Sequence, residues 1–249
     1  MFALDSASFI FSAAVLCRVR VEARPEPGRA RSVARDLAEG WRFVRRRAWL
    51  WATFASAAVA YLCFMGPVEV LLPYLVKNDL EGSARDLGIV FAAGGIGSVT
   101  CAIAMGQSDI PRRSITFIYA CWTLATLAVA GYGLSSSMWQ LMLAALAFNG
   151  LETAGTIVWA TLKQRHVPRG MLGRVSSIDW LISIGLLPLS FALTGPVAAA
   201  IGTRGTLIAA GIVGAAATAA AFFVPGMRAV ERQPVAGPRP RSAPVTDTA

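Results

Sequence analysis

The chain has 249 residues, of which 55% are hydrophobic and only 15% are charged, and its mean hydropathy is +0.57. Soluble domains have about 25% charged residues, and the apolar residues here form long runs without the periodicity of an amphipathic helix or strand. The composition therefore excludes a soluble enzyme, a disordered protein and a disulfide-rich secreted domain, and it predicts an all-α polytopic membrane protein.

Six apolar runs are long enough to cross a bilayer, which takes about 20 predominantly apolar residues. They are 49–76, 87–105, 115–134, 138–161, 177–201 and 206–225. A seventh run, 1–17, is shorter and lacks the basic start of a signal peptide, so we interpret it as a partial transmembrane helix. The sequence thus predicts a bundle of six full transmembrane helices over 49–225, preceded by a partial helix.

The basic residues predict the orientation of these helices. Of the 23 Lys and Arg residues, 20 lie in alternate connecting segments, namely 18–48, 106–114, 162–176 and 226–249. Because short loops rich in Lys and Arg stay in the cytoplasm, we expect a multi-pass protein of the plasma membrane with a cytoplasmic C-terminus. The net charge of +9 does not indicate nucleic acid, since the basic residues are scattered over four separate segments of the chain; contact with membrane lipids explains it.

Segment 18–48 is predicted to be a cytoplasmic linker that contains an amphipathic helix. Val33, Leu37 and Trp41 recur every four residues, which is typical of one apolar helix face at a membrane surface, and three consecutive arginines follow. The segment 226–249 is rich in proline and polar residues, so we predict a disordered cytoplasmic tail.

Glu152 is one of two acidic residues well inside the predicted full-length spans. It lies about 20 Å from the outer end of its helix, given about 14 residues at about 1.5 Å each. An ionised carboxylate is costly near the middle of a bilayer, so such a residue is expected to face a cavity, bind a partner or be protonated. One interpretation is a proton-coupling or substrate-binding site; the alternative is a neutral acid hydrogen-bonded to another helix, with Asn149 one turn away.

Glu69 is the other such residue, and it lies between Pro67 and Pro73. Two prolines interrupt the hydrogen-bond ladder of a helix and free carbonyl groups, and broken helices mark gates or binding regions in membrane transporters. Glu69 is therefore a second candidate for substrate or proton binding, with stabilisation of the kink as the alternative.

Pro188 is predicted to bend the 177–201 helix.

Other patterns indicate close packing of helices, or argue against a metal site and a catalytic site. Gly94 and Ser98, or Ala93 and Gly97, are four residues apart, which favours close approach of another helix. The four cysteines show no metal-ligand spacing, and the one histidine, His166, has no neighbouring ligand or nucleophile in the sequence. We therefore expect no metal, no cofactor and no enzymatic activity.

Three stretches carry a resemblance to a known family: GWRFVRRRAWLW, GPVEVLLPYLVKNDLEGSARDLGIVFAAGGIGS and VPRGMLGRVSSIDWLIS. In them the chain resembles the C-terminal half of a major facilitator superfamily transporter, in the branch of siderophore, macrolide and drug exporters. The resemblance covers residues 1–225 and implies that 1–17 ends helix six, that 18–48 is the central loop and that the full spans are helices seven to twelve. It also implies that the N-terminal bundle is missing, and that the helices carrying Glu69 and Glu152 line the central cavity.

Charged residues near the loops are candidates for gating. The family's loop between helices eight and nine usually reads Gly-x-x-x-Asp-x-x-Gly-Arg-Arg, whereas MGQSDIPRRS here has one residue fewer and lacks the second glycine. Asp109, Arg112 and Arg113 match its charged positions. Arg174 and Asp179, in VPRGMLGRVSSIDWLIS, are further candidates for gating or loop charges.

Two functions from different classes remain open. The resemblance implies a secondary active transporter, a proton-coupled exporter of a small amphipathic molecule such as a drug, macrolide or siderophore, which works by rocking two bundles about one site. The chain would then be incomplete as given and would need a separate N-terminal half or a homodimer partner. The alternative is a non-transporting assembly partner or a degenerate remnant of a transporter.

Overall fold

The computed structural model describes residues 2–18 and 33–232. Every regular element in these two ranges is helical, as the composition predicts. The remainder of the predicted linker, 19–32, and of the predicted tail, 233–249, lies outside the described residues. The chain divides near residue 33 into two compact units, which are described separately.

The first unit contains helix α1, Phe2–Arg18. Its side chains from Ser6 onward are exposed, and most of them are apolar. The helix has 17 residues, which is fewer than the roughly 20 needed to cross a bilayer. That α1 is the end of a longer membrane helix stays a prediction.

The second unit contains helices α2 to α8 and a final short helix of 3-10 type. Their bounds are Val33–Arg45 (α2), Ala48–Asp79 (α3), Ala84–Gly106 (α4), Ser114–Leu134 (α5), Met138–His166 (α6), Arg169–Gly185 (α7), Leu187–Phe222 (α8) and Met227–Arg232 (3-10). These apolar segments are helices because a helix pairs its own backbone N–H and C=O groups. Hydrocarbon offers these groups no other hydrogen-bond partner.

Five helical stretches of the described chain are long and apolar enough to cross a membrane: Ala48–Asp79, Ala84–Gly106, Ser114–Leu134, Met138–His166 and Arg169–Phe222. The last has 54 residues, or about 80 Å at about 1.5 Å per residue, which is too long for one crossing. It is divided at Gly202, where φ is +77° and ψ is 163°. Among the amino acids, glycine alone adopts this backbone conformation readily.

The chain reverses direction at this glycine. Asp179, near the start of the long stretch, binds Lys163 close to the end of α6, whereas Arg204 binds Asp79 at the far end of α3. After the reversal, Phe222 returns to pack near the start of α5. The 54-residue stretch therefore contains both the fifth and the sixth predicted span.

Connections rich in Lys and Arg lie together at one end of the bundle, which we call the basic end. One apolar cluster joins Val44 of α2, Val167 between α6 and α7, and Val230 of the 3-10 helix, and Ile110 of the α4–α5 loop packs against it. The alternation of charge along the sequence thus corresponds to two spatially separate ends.

Helix α4 packs on α6 through small residues. A Cβ on Gly97 would overlap the carbonyl group of Leu146, and a Cβ on Gly94 would lie 2.6 Å from the amide nitrogen of Asn149. Ser98 donates a hydrogen bond of 3.4 Å to the carbonyl of Asn149. The close packing predicted from the four-residue spacing is therefore confirmed.

Helix α3 changes its winding at its two prolines. The hydroxyl of Ser190 accepts a hydrogen bond from the N–H of Gly66 and donates one to the carbonyl of Leu62, both at 2.8 Å. These two backbone groups are direct partners in a regular α-helix, so the inserted hydroxyl opens the ladder. From Pro67 to Asp79 the helix is largely π-helical, and the break predicted around Pro73 takes this form.

The tail predicted to be disordered from residue 226 is ordered over its first turns. Met227 and Val230 of the 3-10 helix are buried, and Glu231 accepts a hydrogen bond of 2.9 Å from the N–H of Thr116. The prediction of disorder does not hold for Met227–Arg232, because burial of two apolar side chains fixes a segment whose composition is otherwise polar.

Substituting Gly66 tests the contact between α3 and α8. A Cβ there would overlap the backbone carbonyl of Ser190 and the hydroxyl of Thr194. We expect Gly66→Ala to destabilise the protein by about 1–3 kcal/mol, as overpacking does in well-packed cores. The measurement is the thermal unfolding midpoint of the purified protein in detergent.

Gly95→Ala is the matched control, because a Cβ at Gly95 meets no atom within 4 Å. Alanine is favoured over glycine in a helix by about 1 kcal/mol, so this variant should be unchanged or slightly more stable. Equal midpoints for the two variants would contradict the close packing of α3 on α8.

Candidate functional site

A cavity of about 480 Å³ lies among α3, α5, α6 and α7, and we call it the bundle cavity. Its charged lining residues are Glu152, Lys163 and Asp179. Its polar and aromatic lining residues include Tyr61, Phe64, Trp122, Phe148, Thr156 and Trp159. The bundle cavity therefore combines an apolar, aromatic wall with a few charged groups, as small-molecule sites do.

Glu152 extends into the bundle cavity from the middle of α6 and is half-buried. Its carboxylate accepts a hydrogen bond of 2.9 Å from the hydroxyl of Thr156, one turn further along the same helix. Among the described residues, no ion pair includes Glu152. The carboxylate thus has a single weak donor and is otherwise available to a proton or a ligand.

Lys163 and Asp179 form an ion pair at the basic end of the bundle cavity. The ammonium group of Lys163 donates to Asp179 Oδ2, and Trp159 Nε1 donates to the same oxygen at 3.1 Å. The side chains of the lysine and the aspartate are only 12% and 16% exposed. An ion pair this buried resists opening by water, because each charge would be left without a partner.

Trp159 connects this ion pair with an aromatic cluster. Its ring centroid lies 5.7 Å from that of Trp49 and 6.1 Å from those of Phe54 and Trp122, all in edge-to-face arrangements. Gly155 permits the contact of α5 with α6, because a Cβ there would lie 2.5 Å from the indole nitrogen of Trp122. The aromatic wall is therefore fixed by packing.

Glu69 does not line the bundle cavity. It is exposed on the surface of the bundle, in the π-helical turn Pro67–Leu71, between the two prolines that flank it in the sequence. The structure thus separates the two acidic candidates: Glu152 faces the cavity and Glu69 faces outward.

Asn149 and Pro188 also lie outside the bundle cavity. The amide of Asn149 donates to the carbonyl of Ala145 at 2.9 Å and packs against α4, away from Glu152. Pro188 directly follows the interruption between α7 and α8 at Leu186, where φ is −92° and ψ is −4°. Asn149 therefore belongs to a helix contact, and Pro188 lies at a break between two helices.

The loop charges fall into two groups. Asp109, Arg112 and Arg113 lie between α4 and α5 at the basic end, and within the described ranges none of them forms an ion pair. Arg174 pairs with both Asp36, at 2.8 Å, and Glu39, at 2.9 Å, and so ties α2 to α7.

Sequence reasoning missed Lys163, Trp159 and Thr156 as site residues. Lys163 falls in a predicted loop because the apolar run stops at residue 161, yet α6 continues to His166. The spacing of Thr156, four residues after Glu152, is a usable signal, because that interval brings two side chains together on one helix face.

A family described as "transmembrane secretion effector" matches residues 1–245, which is nearly the whole chain. The description belongs to the major facilitator type of transporter. No functionally curated protein and no solved structure matches the chain. The family match supports the transporter class that the resemblance implies.

Removing the carboxylate of Asp179 should leave the Lys163 ammonium buried without a counter-charge. We expect Asp179→Asn to destabilise the protein by about 3 kcal/mol, and the double variant Lys163→Gln/Asp179→Asn to regain most of that loss. Unfolding midpoints in a denaturing-detergent titration measure both effects.

The same substitution at Asp79 is the control. Its ion pair with Arg204 is more exposed, at 28% and 37% of the two side chains, so Asp79→Asn should cost at most about 1 kcal/mol. A larger loss of stability for Asp79→Asn than for Asp179→Asn would contradict the conclusion that the buried Lys163–Asp179 pair stabilises the bundle more than the exposed pair does.

Proposed function

Because the chain belongs to the transmembrane secretion effector family of major facilitator-type transporters, we propose that it exports a small amphipathic molecule in exchange for protons. The observation that carries the proposal is the carboxylate of Glu152 in an aromatic cavity of about 480 Å³. A cavity of roughly 300–1,000 Å³ suits a drug-sized ligand.

Glu152 is the group proposed to couple the substrate to the proton. With only the Thr156 hydroxyl as donor and no ion pair among the described residues, the carboxylate of Glu152 has no fixed counter-charge and can bind a proton. A cationic group of the substrate would favour the carboxylate and displace the proton. Substrate and proton would therefore occupy the site alternately, which is the requirement for exchange.

The aromatic wall supports a substrate with an apolar body and a positively charged or strongly polar group. Tyr61, Trp122 and Trp159 line the bundle cavity, and indole and phenol rings attract cations as well as apolar surface. Siderophores, macrolides and other drugs share this amphipathic character, and we propose no narrower class.

The Lys163–Asp179 pair is proposed to close the cavity at the basic end. Opening this end to water requires either that the pair separate or that it move as a unit with α6 and α7. Because separation of a buried pair is costly, we propose that the two helices move together. A transporter of this kind rocks two bundles about a shared site, so a second bundle, either an N-terminal half or another copy, is part of the proposal.

We also propose that the protein spans the plasma membrane with its C-terminus in the cytoplasm, because the basic end holds the Lys- and Arg-rich connections. A fluorescent protein fused after residue 249 should then fluoresce, whereas alkaline phosphatase at the same position should be inactive. The opposite pair of results would contradict the orientation.

Neutralising Glu152 tests proton coupling. In inverted membrane vesicles from cells that contain the complete transport system, Glu152→Gln should abolish substrate uptake driven by an imposed pH gradient. Exchange of labelled for unlabelled substrate should persist at reduced affinity, because the aromatic wall still binds the apolar body of the substrate and rocking does not then need the proton. The assay measures uptake of a fluorescent cationic dye with and without the gradient.

Glu69→Gln is the matched control, since it removes the same charge from a residue outside the bundle cavity. It should retain gradient-driven uptake. If neither variant affects uptake while both proteins accumulate normally, the alternative of a non-transporting assembly partner or remnant is favoured.

A further inference from the structure

A second hollow, of about 710 Å³, lies between α2, α3 and α7 at the basic end, and we call it the linker groove. Its floor is apolar and includes Phe54, Ala55 and Leu181. Among its described lining residues, Arg45 alone carries a charge. The linker groove is separate from the bundle cavity and shares no lining residue with it.

Arg45 has no counter-charge within the described chain. Its side chain is exposed, and no ion pair includes it. A free guanidinium beside an apolar groove is complementary to one chemical class, an amphiphile with an anionic head and a hydrocarbon tail. A neutral peptide or a second apolar helix would leave this charge unmatched.

Two tryptophans indicate the depth of the linker groove in a bilayer. Trp41 and Trp51 both line it and are 47% and 41% exposed. Exposed tryptophans are typical of the membrane–water interface. From Trp51 to Ala58 the floor follows seven residues of α3, or about 10 Å at about 1.5 Å per residue, so it descends from the interface towards the hydrocarbon.

The linker groove is preformed because α2 is held firmly against α7. Arg174 binds Asp36 and Glu39, and Val44 is fully buried. A Cβ on Gly40 would lie 2.9 Å from the side chain of Ile178, so the two helices are in close contact. The wall that carries Arg45 therefore has a fixed position.

We propose that the linker groove binds one anionic phospholipid, with the phosphate at Arg45 and an acyl chain along the apolar floor. The proposal does not depend on the transport function, since the residues concerned lie outside the bundle cavity. It assigns to the linker helix a defined lipid site in addition to general contact with the membrane surface.

Native mass spectrometry of the purified, delipidated full chain tests the proposal. Phosphatidylglycerol and phosphatidylcholine with identical acyl chains are added separately, and the retained lipid is counted. We expect one phosphatidylglycerol to be retained about five-fold more strongly than phosphatidylcholine, because one arginine at the surface contributes about 1 kcal/mol of binding to an anionic lipid.

Arg45→Gln should abolish this preference, and Arg46→Gln should keep it. Arg46 is also exposed and free of ion pairs among the described residues, but it lines a different hollow. Equal retention of the two lipids by the unmodified chain, or the same loss in both variants, would overturn the proposal.

Ala55→Phe tests the acyl chain separately. Ala55 is exposed on the floor of the linker groove, so the phenyl ring of the variant fills the groove without entering the core. We expect retention of phosphatidylglycerol to fall while the unfolding midpoint is unchanged. Unchanged retention, or displacement of the lipid by excess inorganic phosphate, would indicate an anion site without a lipid chain and would overturn the proposal.

Discussion

The satisfaction of polar groups in a medium without water is the constraint on which the rest of this structure depends. Buried hydroxyls obey it by donating to the carbonyl one turn earlier, as Thr53, Thr194 and Thr218 do at 2.6, 2.8 and 2.9 Å. Ser190 obeys it by bridging two backbone groups of α3. Glu152 departs from this pattern, because a carboxylate needs more than the one hydroxyl that Thr156 supplies.

This departure gives the bundle cavity its chemical character. The carboxylates of Glu152 and Asp179 line the same cavity, but Asp179 is bound by the ammonium of Lys163 and the indole N–H of Trp159, whereas Glu152 has no cation beside it among the described residues. Asp179 therefore has a fixed counter-charge within the bundle, whereas Glu152 has none among the described residues. The proposed exchange of protons for a substrate makes use of this difference, because it needs an acid without a fixed counter-charge.

Much of the fold could be predicted from the sequence, because apolar runs and alternating basic segments directly express the requirements of a bilayer. Glu152 could be singled out for the same reason. Lys163 could not, since its partner Asp179 is brought near only when α7 turns back after α6. Glu69 also lies inside an apolar run, yet its side chain is exposed in the π-helical turn after Pro67, and no periodicity in the sequence reports that change of winding.

The proposed exchange requires that the carboxyl group of Glu152 take up and release a proton within the bundle. Infrared difference spectroscopy of the protein in lipid membranes, between acid and alkaline pH, measures this directly, since a neutral carboxylic acid has a carbonyl band that a carboxylate lacks. We expect a band that disappears at alkaline pH in the unmodified chain, that is retained in Glu69→Gln and that is missing from Glu152→Gln. A band that persists unchanged in Glu152→Gln would contradict it.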